Sequence, residues 1–182
     1  LGGNDDYEQD IYNRYLHGEF DSADSIRQDE NLRFETLAGR TVYGGGGIMP
    51  DIFIPRDTAG LTSYYTDLVN SGLLYRYVLD YSDRHHRTLT AFDRPEALHD
   101  YLRSQPLLED AVRFAAEAGI RRRPALIAVS ARLIENQLHA YIVRNFFDDA
   151  GFYPIVLKDD PTLRRAVEEL KANNTPGVPN IR

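Results

Sequence analysis

The apolar positions change period part-way along the chain. Tyr7, Ile11 and Tyr15 recur at helical spacing, Asn4 or Asp5 is placed to cap, and Gly18 follows as a stop, so residues 4–17 predict a short helix. Residues 18–33 are polar and without period, and predict a loop. Phe34-Glu35-Thr36-Leu37 then alternates, Ala38-Gly39-Arg40 is turn-like, and Thr41-Val42-Tyr43 is β-prone, which is the pattern of a hairpin. Four glycines, Gly44 to Gly47, lead through Ile48-Met49-Pro50-Asp51 into a further β-prone run, Ile52-Phe53-Ile54. Pro55, which lacks a backbone N–H, ends that run.

From about Thr62 the period is helical. Thr62 or Ser63 caps a helix that stops near Gly72, and a longer one carries Leu74, Tyr77, Val78, Tyr81, Leu89 and Phe92 along one side. Pro95 and Pro106 stand where a first helical residue belongs. Leu107, Leu108, Ala111, Val112, Ala115 and Ala118 form a stripe closed by Gly119. Ser130 is expected to cap the strongest helix, with Leu133, Ile134, Leu138, Tyr141, Ile142 and Phe146 on one face and Gly151 as its end. Phe152–Leu157 reads as a short strand or an irregular connector. Asp160-Pro161 opens a last helix with Leu163, Ala166, Val167 and Leu170, and Asn173–Arg182 reads as a frayed tail.

These elements predict a mainly α fold, α+β overall: a short helix, a β-hairpin and a glycine-rich turn in residues 1–57, then a helical, bundle-like domain in residues 58–182. The 182 residues carry 21 Lys plus Arg and 28 Asp plus Glu, a formal charge of −7. Of these, residues 1–60 hold 12 acids and 5 bases, whereas residues 61–182 hold 16 of each. An acidic first third over a neutral remainder argues against binding to nucleic acid, which relies on clustered positive charge. The longest uncharged stretches, Thr41–Pro50 and Ala172–Ile181, fall well short of the roughly 20 apolar residues of a spanning helix, so no transmembrane segment is expected. No signal-peptide pattern is present either. With no cysteine, disulfides and thiolate chemistry are excluded. The chain opens on Leu1 and its one methionine is Met49, which reads as a piece of a longer protein.

Candidate chemistry is sparse. The glycine run lacks the Gly-Lys-Ser/Thr step into a helix that a phosphate cradle needs, and reads instead as a bend where backbone passes close to backbone. No serine lies in a Gly-x-Ser-x-Gly elbow, and the two lysines, Lys158 and Lys171, sit in polar surroundings unsuited to a desolvated base. His85 and His86 are adjacent and diverge on a helix. Glu135 and His139 share a helix face at i, i+4, but two groups do not make a metal site; neither metal nor other cofactor is expected. Asp148-Asp149, Asp159-Asp160 and Glu168-Glu169 read as helix-end and surface carboxylates, and Arg121-Arg122-Arg123 as a patch too small for nucleic acid. Tyr64, Tyr65, Tyr75, Tyr77 and Tyr81 read as core residues, with a peptide groove as the alternative.

The stretch Gly39-Arg40-Thr41-Val42-Tyr43-Gly44-Gly45-Gly46-Gly47-Ile48-Met49-Pro50-Asp51-Ile52 closely resembles the "GR-x-V-x-GGGGI-x-PD" segment of carboxyl-terminal processing, or tail-specific, serine peptidases. Tyr7–Ile11, Arg14–Phe20 and Asp24–Ile26 are similar to the run that precedes it in members of the Bacteroidetes type, and the helical remainder to their C-terminal extension. The resemblance implies an exported parent of the periplasm or cell envelope. That parent has a PDZ-like domain and a serine–lysine core that cleaves proteins near their C-termini without metal.

Both catalytic residues of that family lie upstream of the matched segment, and no position of this chain corresponds to either. No catalytic residue is therefore carried over, and substrate-binding residues are not identified. The carried-over motif is Gly39, Arg40, Gly44, Gly45, Gly46, Gly47, Pro50 and Asp51, with an architectural role. The expected function is that of a non-catalytic region, inactive alone. It completes the parent's protease core and assists assembly or substrate presentation, with protein or peptide substrates reached through the parent. Strand edges in residues 1–57 are expected to fray or to pair with a second copy as a homodimer. The alternatives are an independent helical protein-interaction module and, more remotely, a stand-alone enzyme using the glycine loop.

Overall fold

A computed structural model describes residues 4–26, 30–37, 39, 41–44 and 52–172. The fold is mainly helical with one two-stranded antiparallel sheet, as the periodicity predicts. Among the described residues no helix is long and apolar enough to cross a membrane. The chain divides into two compact units: Thr58–Asp160, and the segments Leu1–Asp57 and Pro161–Arg182.

The unit Thr58–Asp160 contains the buried core. Its helices are α2 (Ser63–Asn70), α3 (Leu73–Arg84), α4 (His86–Leu89), α5 (Pro95–Leu102), α6 (Leu107–Glu117) and α7 (Pro124–Val156); α1 and α8 lie in the other unit. Helix α7 is the centrepiece, and α2, α3, α5 and α6 all pack on it. The predicted stripes are what they bury: Tyr64 and Leu68 from α2, Leu74, Tyr77 and Val78 from α3, Leu98 and Leu102 from α5, Leu107, Ala111 and Val112 from α6, and Ile134, Leu138 and Ile142 from α7. Each fully buried Leu, Ile or Val contributes roughly 1.5–3 kcal/mol against exposure to water, which is why these stripes fix the packing.

Helix starts follow the local chemistry. Thr62 caps α2 through a hydrogen bond from the Tyr65 N–H to its hydroxyl, 3.3 Å. Pro95 and Pro124 occupy first helical positions, where the missing N–H costs nothing. Glu109 and Asp110 sit in the first turn of α6, where their charge favours the helix dipole. The run from Leu74 to Phe92 is not one helix, because the chain turns at His85 between α3 and α4.

Ser130 is not a cap. Helix α7 begins at Pro124, and Ser130 is fully buried inside it. Its hydroxyl donates to the Gly60 carbonyl at 2.6 Å and lies 2.7 Å from the Thr62 hydroxyl. Since its single proton goes to Gly60, Ser130 accepts from Thr62, whose oxygen in turn takes the Tyr65 N–H. This relay ties the entry of α2 to the second turn of α7.

Gly151 does not end the helix either. The break falls at Asp148, whose φ of 50° and ψ of −144° are non-helical. Beyond it the backbone turns back on the preceding turns. A Cβ on Gly151 would lie 2.5 Å from Val143 Cγ1 and 3.3 Å from the Val143 carbonyl oxygen, so this position admits no side chain. Phe152–Val156 is helical, neither strand nor irregular connector, and it buries Ile155.

In the other unit, α1 (Asn4–Leu16) is followed by a turn in which Ser22 caps Ala23–Ser25. Strands β1 (Arg33–Glu35) and β2 (Thr41–Tyr43) pair antiparallel, with Phe34 opposite Val42. Gly44 extends the ladder by an N–H bond to the Leu32 carbonyl at 2.7 Å, and the Phe34 ring would stand 2.9 Å from any Cβ there. Residues 52–57 return toward α1: Arg56 pairs with Asp21 at 3.2 Å and lies over the Tyr15 ring. Helix α8 (Pro161–Lys171) belongs to this unit and leaves Leu163, Val167 and Leu170 exposed. Arg40, Gly45, Gly46, Gly47, Pro50, Asp51 and the tail Asn173–Arg182 lie outside the described residues.

Candidate functional site

Polar groups converge in a pocket of about 240 Å³ between α5, the start of α6 and both parts of α7. Arg132, Glu135, Asn136 and His139 follow one another at i, i+3, i+4 and i+7, so α7 presents them on one face, beside its apolar stripe. From α5 come His99 and, at its C-cap, Arg103. Lys158 and Asp159 enter from the end of α7. Leu107 and Ile155, both buried, supply an apolar wall.

The two histidines meet with ring centroids 5.3 Å apart, edge to face. His139 is only 8% exposed, and among the described residues its ring nitrogens have no hydrogen-bond partner. Burial pushes its pKa down to about 4, with His99 and Arg103 adding to the depression. Burial also lowers His99; Arg103 and Lys158 push the same way, and Asp100 opposes them. Both rings are therefore neutral donor–acceptors at neutral pH.

The charges around them are unevenly committed. Arg132 pairs with Asp159 at 2.8 Å. Arg103 reaches Asp100 only at 3.9 Å, between two exposed side chains. Among the described residues Lys158 has no ion-pair partner.

The other candidates fall into structural roles. Ser71 and Ser104 donate to the Leu68 and Tyr101 carbonyls, Ser63 accepts from Arg123, and Ser82 accepts from Asn145. None of these partners is a lysine. His85 stacks on Tyr81, and His86 lies against Phe146. Arg122 binds Glu109 with two 2.9 Å bonds and Arg123 pairs with Asp67, so two of the three arginines hold neighbouring helices. Tyr64, Tyr77 and Tyr81 are buried core residues, as their spacing implies. Burial raises Tyr77 strongly and pushes Tyr81 up to about 12. Tyr65 donates to Gln137 at 2.7 Å, and Tyr75 packs edge-on against Tyr141.

Of the carboxylates, Asp149 pairs with Arg144 and Glu169 with Arg165. Among the described residues no three His, Asp or Glu side chains are grouped to hold a metal ion. Of the motif residues, Gly39 and Gly44 belong to the hairpin just described.

The pair Glu135 and His139 was visible in the sequence, and the structure adds Arg132 and Asn136 on the same face. That quartet has a readable signal, polar residues at helical spacing flanking an apolar stripe. His99, Arg103 and Lys158 arrive from distant segments and carry no such signal.

Over residues 64–148 the chain matches the model of a family of unknown function, DUF8443. The match runs from α2 to the break in α7, so it includes His99 and His139 but stops short of Lys158. No curated protein and no solved structure matches the chain.

Proposed function

We propose that this chain is a non-catalytic region of a carboxyl-terminal processing serine peptidase of the cell envelope. In this reading residues 1–57 finish a protease core, and the helical unit Thr58–Asp160 assists assembly or presents substrate. The sequence support is the segment Gly39–Ile52.

The structural observation that supports the reading is the number of large apolar side chains left exposed in the unit that holds residues 1–57. Among the described residues of its unit, only Glu19 is buried, while Ile11, Tyr12, Tyr15, Leu16, Phe34 and Leu37 are all exposed. A segment with so many large apolar side chains in water and so little buried is the kind that another surface covers. A larger sheet and core, such as the resemblance implies, would bury them. The hairpin's outer edges offer the backbone groups for that pairing.

The test is a peptidase assay on an unstructured substrate with an apolar C-terminus. The chain alone is expected to leave it intact. The native polypeptide that carries this chain is expected to trim it near the C-terminus, with chelator making no difference. Cleavage by the chain alone, or chelator-sensitive cleavage by the native polypeptide, would refute the assignment.

A second reading, an independent interaction module, is favoured by the complete core of Thr58–Asp160. It predicts that a partner stays bound to that unit when residues 1–57 are deleted.

A further inference from the structure

We infer that the pocket between α5 and α7 binds one carboxylate carried on a small apolar body, either a free short-chain acid or the last residue of a peptide. The inference does not depend on the peptidase reading.

Three observations converge on it. First, the lining charges do not balance. Arg103, Arg132 and Lys158 face Glu135 and Asp159, and Arg132 is already committed to Asp159. One positive charge is left over among the lining residues, with Arg103 held by Asp100 only at 3.9 Å from outside the pocket, which suits a monoanion; a dianion such as phosphate would meet two carboxylates with too little compensation. The same surplus of positive charge disfavours a cation.

Second, His139 is a polar side chain more than nine-tenths buried, with no hydrogen-bond partner among the described residues, at the pocket wall. Its ring nitrogens are not among the side-chain atoms sealed away without a partner, so an N–H of this largely buried ring is open to an acceptor in the pocket. A carboxylate offers two acceptor oxygens, enough for His139 and one of the cations at once.

Third, Leu107 and Ile155 give the pocket an apolar side. The volume of about 240 Å³ lies below the roughly 300–1,000 Å³ of pockets for drug-sized ligands. It fits a ligand of amino-acid size, or one terminal residue of a longer chain.

The experiment follows the ring resonances of His99 and His139 in the full chain by NMR. The probes are isovalerate, N-acetyl-Ala-Ala-Leu with a free C-terminal carboxylate, the same peptide as its C-terminal amide, and inorganic phosphate. Saturable shifts of both rings are expected with a carboxylate probe below about 10 mM, and none with the amide. Tighter binding of the peptide acid than of isovalerate assigns the pocket to chain ends; the reverse assigns it to free acids.

Lys158→Gln is expected to weaken binding about tenfold or more with an unchanged melting temperature. The acid–amide comparison uses the unaltered protein, so it stands whatever that variant does. Equal binding of acid and amide, tighter binding of phosphate, or the absence of saturable shifts with either carboxylate would each overturn the inference.

Discussion

The imidazoles of His99 and His139 meet edge to face with ring centroids 5.3 Å apart, joining α5 to α7 at a wall of the polar pocket described above. The contact is formed by neutral rings. Its pH dependence follows directly. The folded pKa of His139 is pushed from 6.5 down to about 4 by burial, then by His99 and Arg103. Arg132, Lys158, Glu135 and Asp159 also line its surroundings. A base whose pKa falls on folding binds fewer protons in the native state, so stability rises with pH across the window between the two values. It is complete above about 6.5 and is lost as pH falls toward 4, by an amount of order 1–3 kcal/mol. Urea unfolding of the full chain at pH 7 and at pH 4.5 measures it. His139→Leu is expected to flatten the difference. An equal pH dependence in that variant would remove His139 as its source.

The Thr62–Ser130–Gly60 relay gives a second prediction. Ser130→Ala leaves the Gly60 carbonyl and the Thr62 hydroxyl without their partner at a buried position, a loss of about 1–3 kcal/mol. Thr62→Ala also removes the cap of α2, at about 1–2 kcal/mol. Because the two hydroxyls are 2.7 Å apart, the double variant is expected to lose less than the two singles together. Strict additivity in the double-mutant cycle would show that the relay carries no coupling.

Much of the fold was legible from periodicity. The apolar stripes of α3, α6 and α7 are core faces because a helix repeats its buried side every three to four residues, and the hairpin followed from alternation around a turn. What was not legible is tertiary. Ser130 has the composition of a cap, and only the approach of Gly60, seventy positions away in sequence, makes it an internal bond. Pro124 carried the true start signal by the same rule that placed Pro95. Phe152–Leu157 reads in the sequence as a short strand or an irregular connector, whereas Phe152–Val156 is helical beyond the break at Asp148. In the pocket, Glu135 and His139 could be paired by spacing, whereas His99 and Lys158 meet them only once the chain has folded.

The uneven distribution of core predicts uneven protection. Amide exchange slows where opening the backbone requires breaking a packed core. The amides of Leu138–Val143 are expected to exchange slowest, since that stretch of α7 is the most continuously buried. Those of Arg33–Glu35 and Thr41–Tyr43 are expected to exchange orders of magnitude faster, because both faces of that two-stranded sheet are solvated. Exchange followed by mass spectrometry resolves the two segments. Hairpin protection equal to that of α7 would mean that a second copy or another partner covers it.

The break in α7 yields the last prediction, with opposite signs three residues apart. Asp148 holds a backbone conformation that L-residues avoid, at about 1–3 kcal/mol. Glycine adopts it without that cost, though it gives back about 0.5–1 kcal/mol through the greater freedom of the unfolded chain. Asp148→Gly is therefore expected to stabilise the protein by about 1 kcal/mol. At Gly151 the backbone presses on Val143, and the blocking atoms include a carbonyl oxygen that cannot rotate away. Gly151→Ala must push the two arms of α7 apart, which loosens Ile155 in the core and costs about 1–3 kcal/mol. Urea unfolding of each variant gives both numbers. Destabilisation by Asp148→Gly with no change from Gly151→Ala would mean that α7 runs straight through this point.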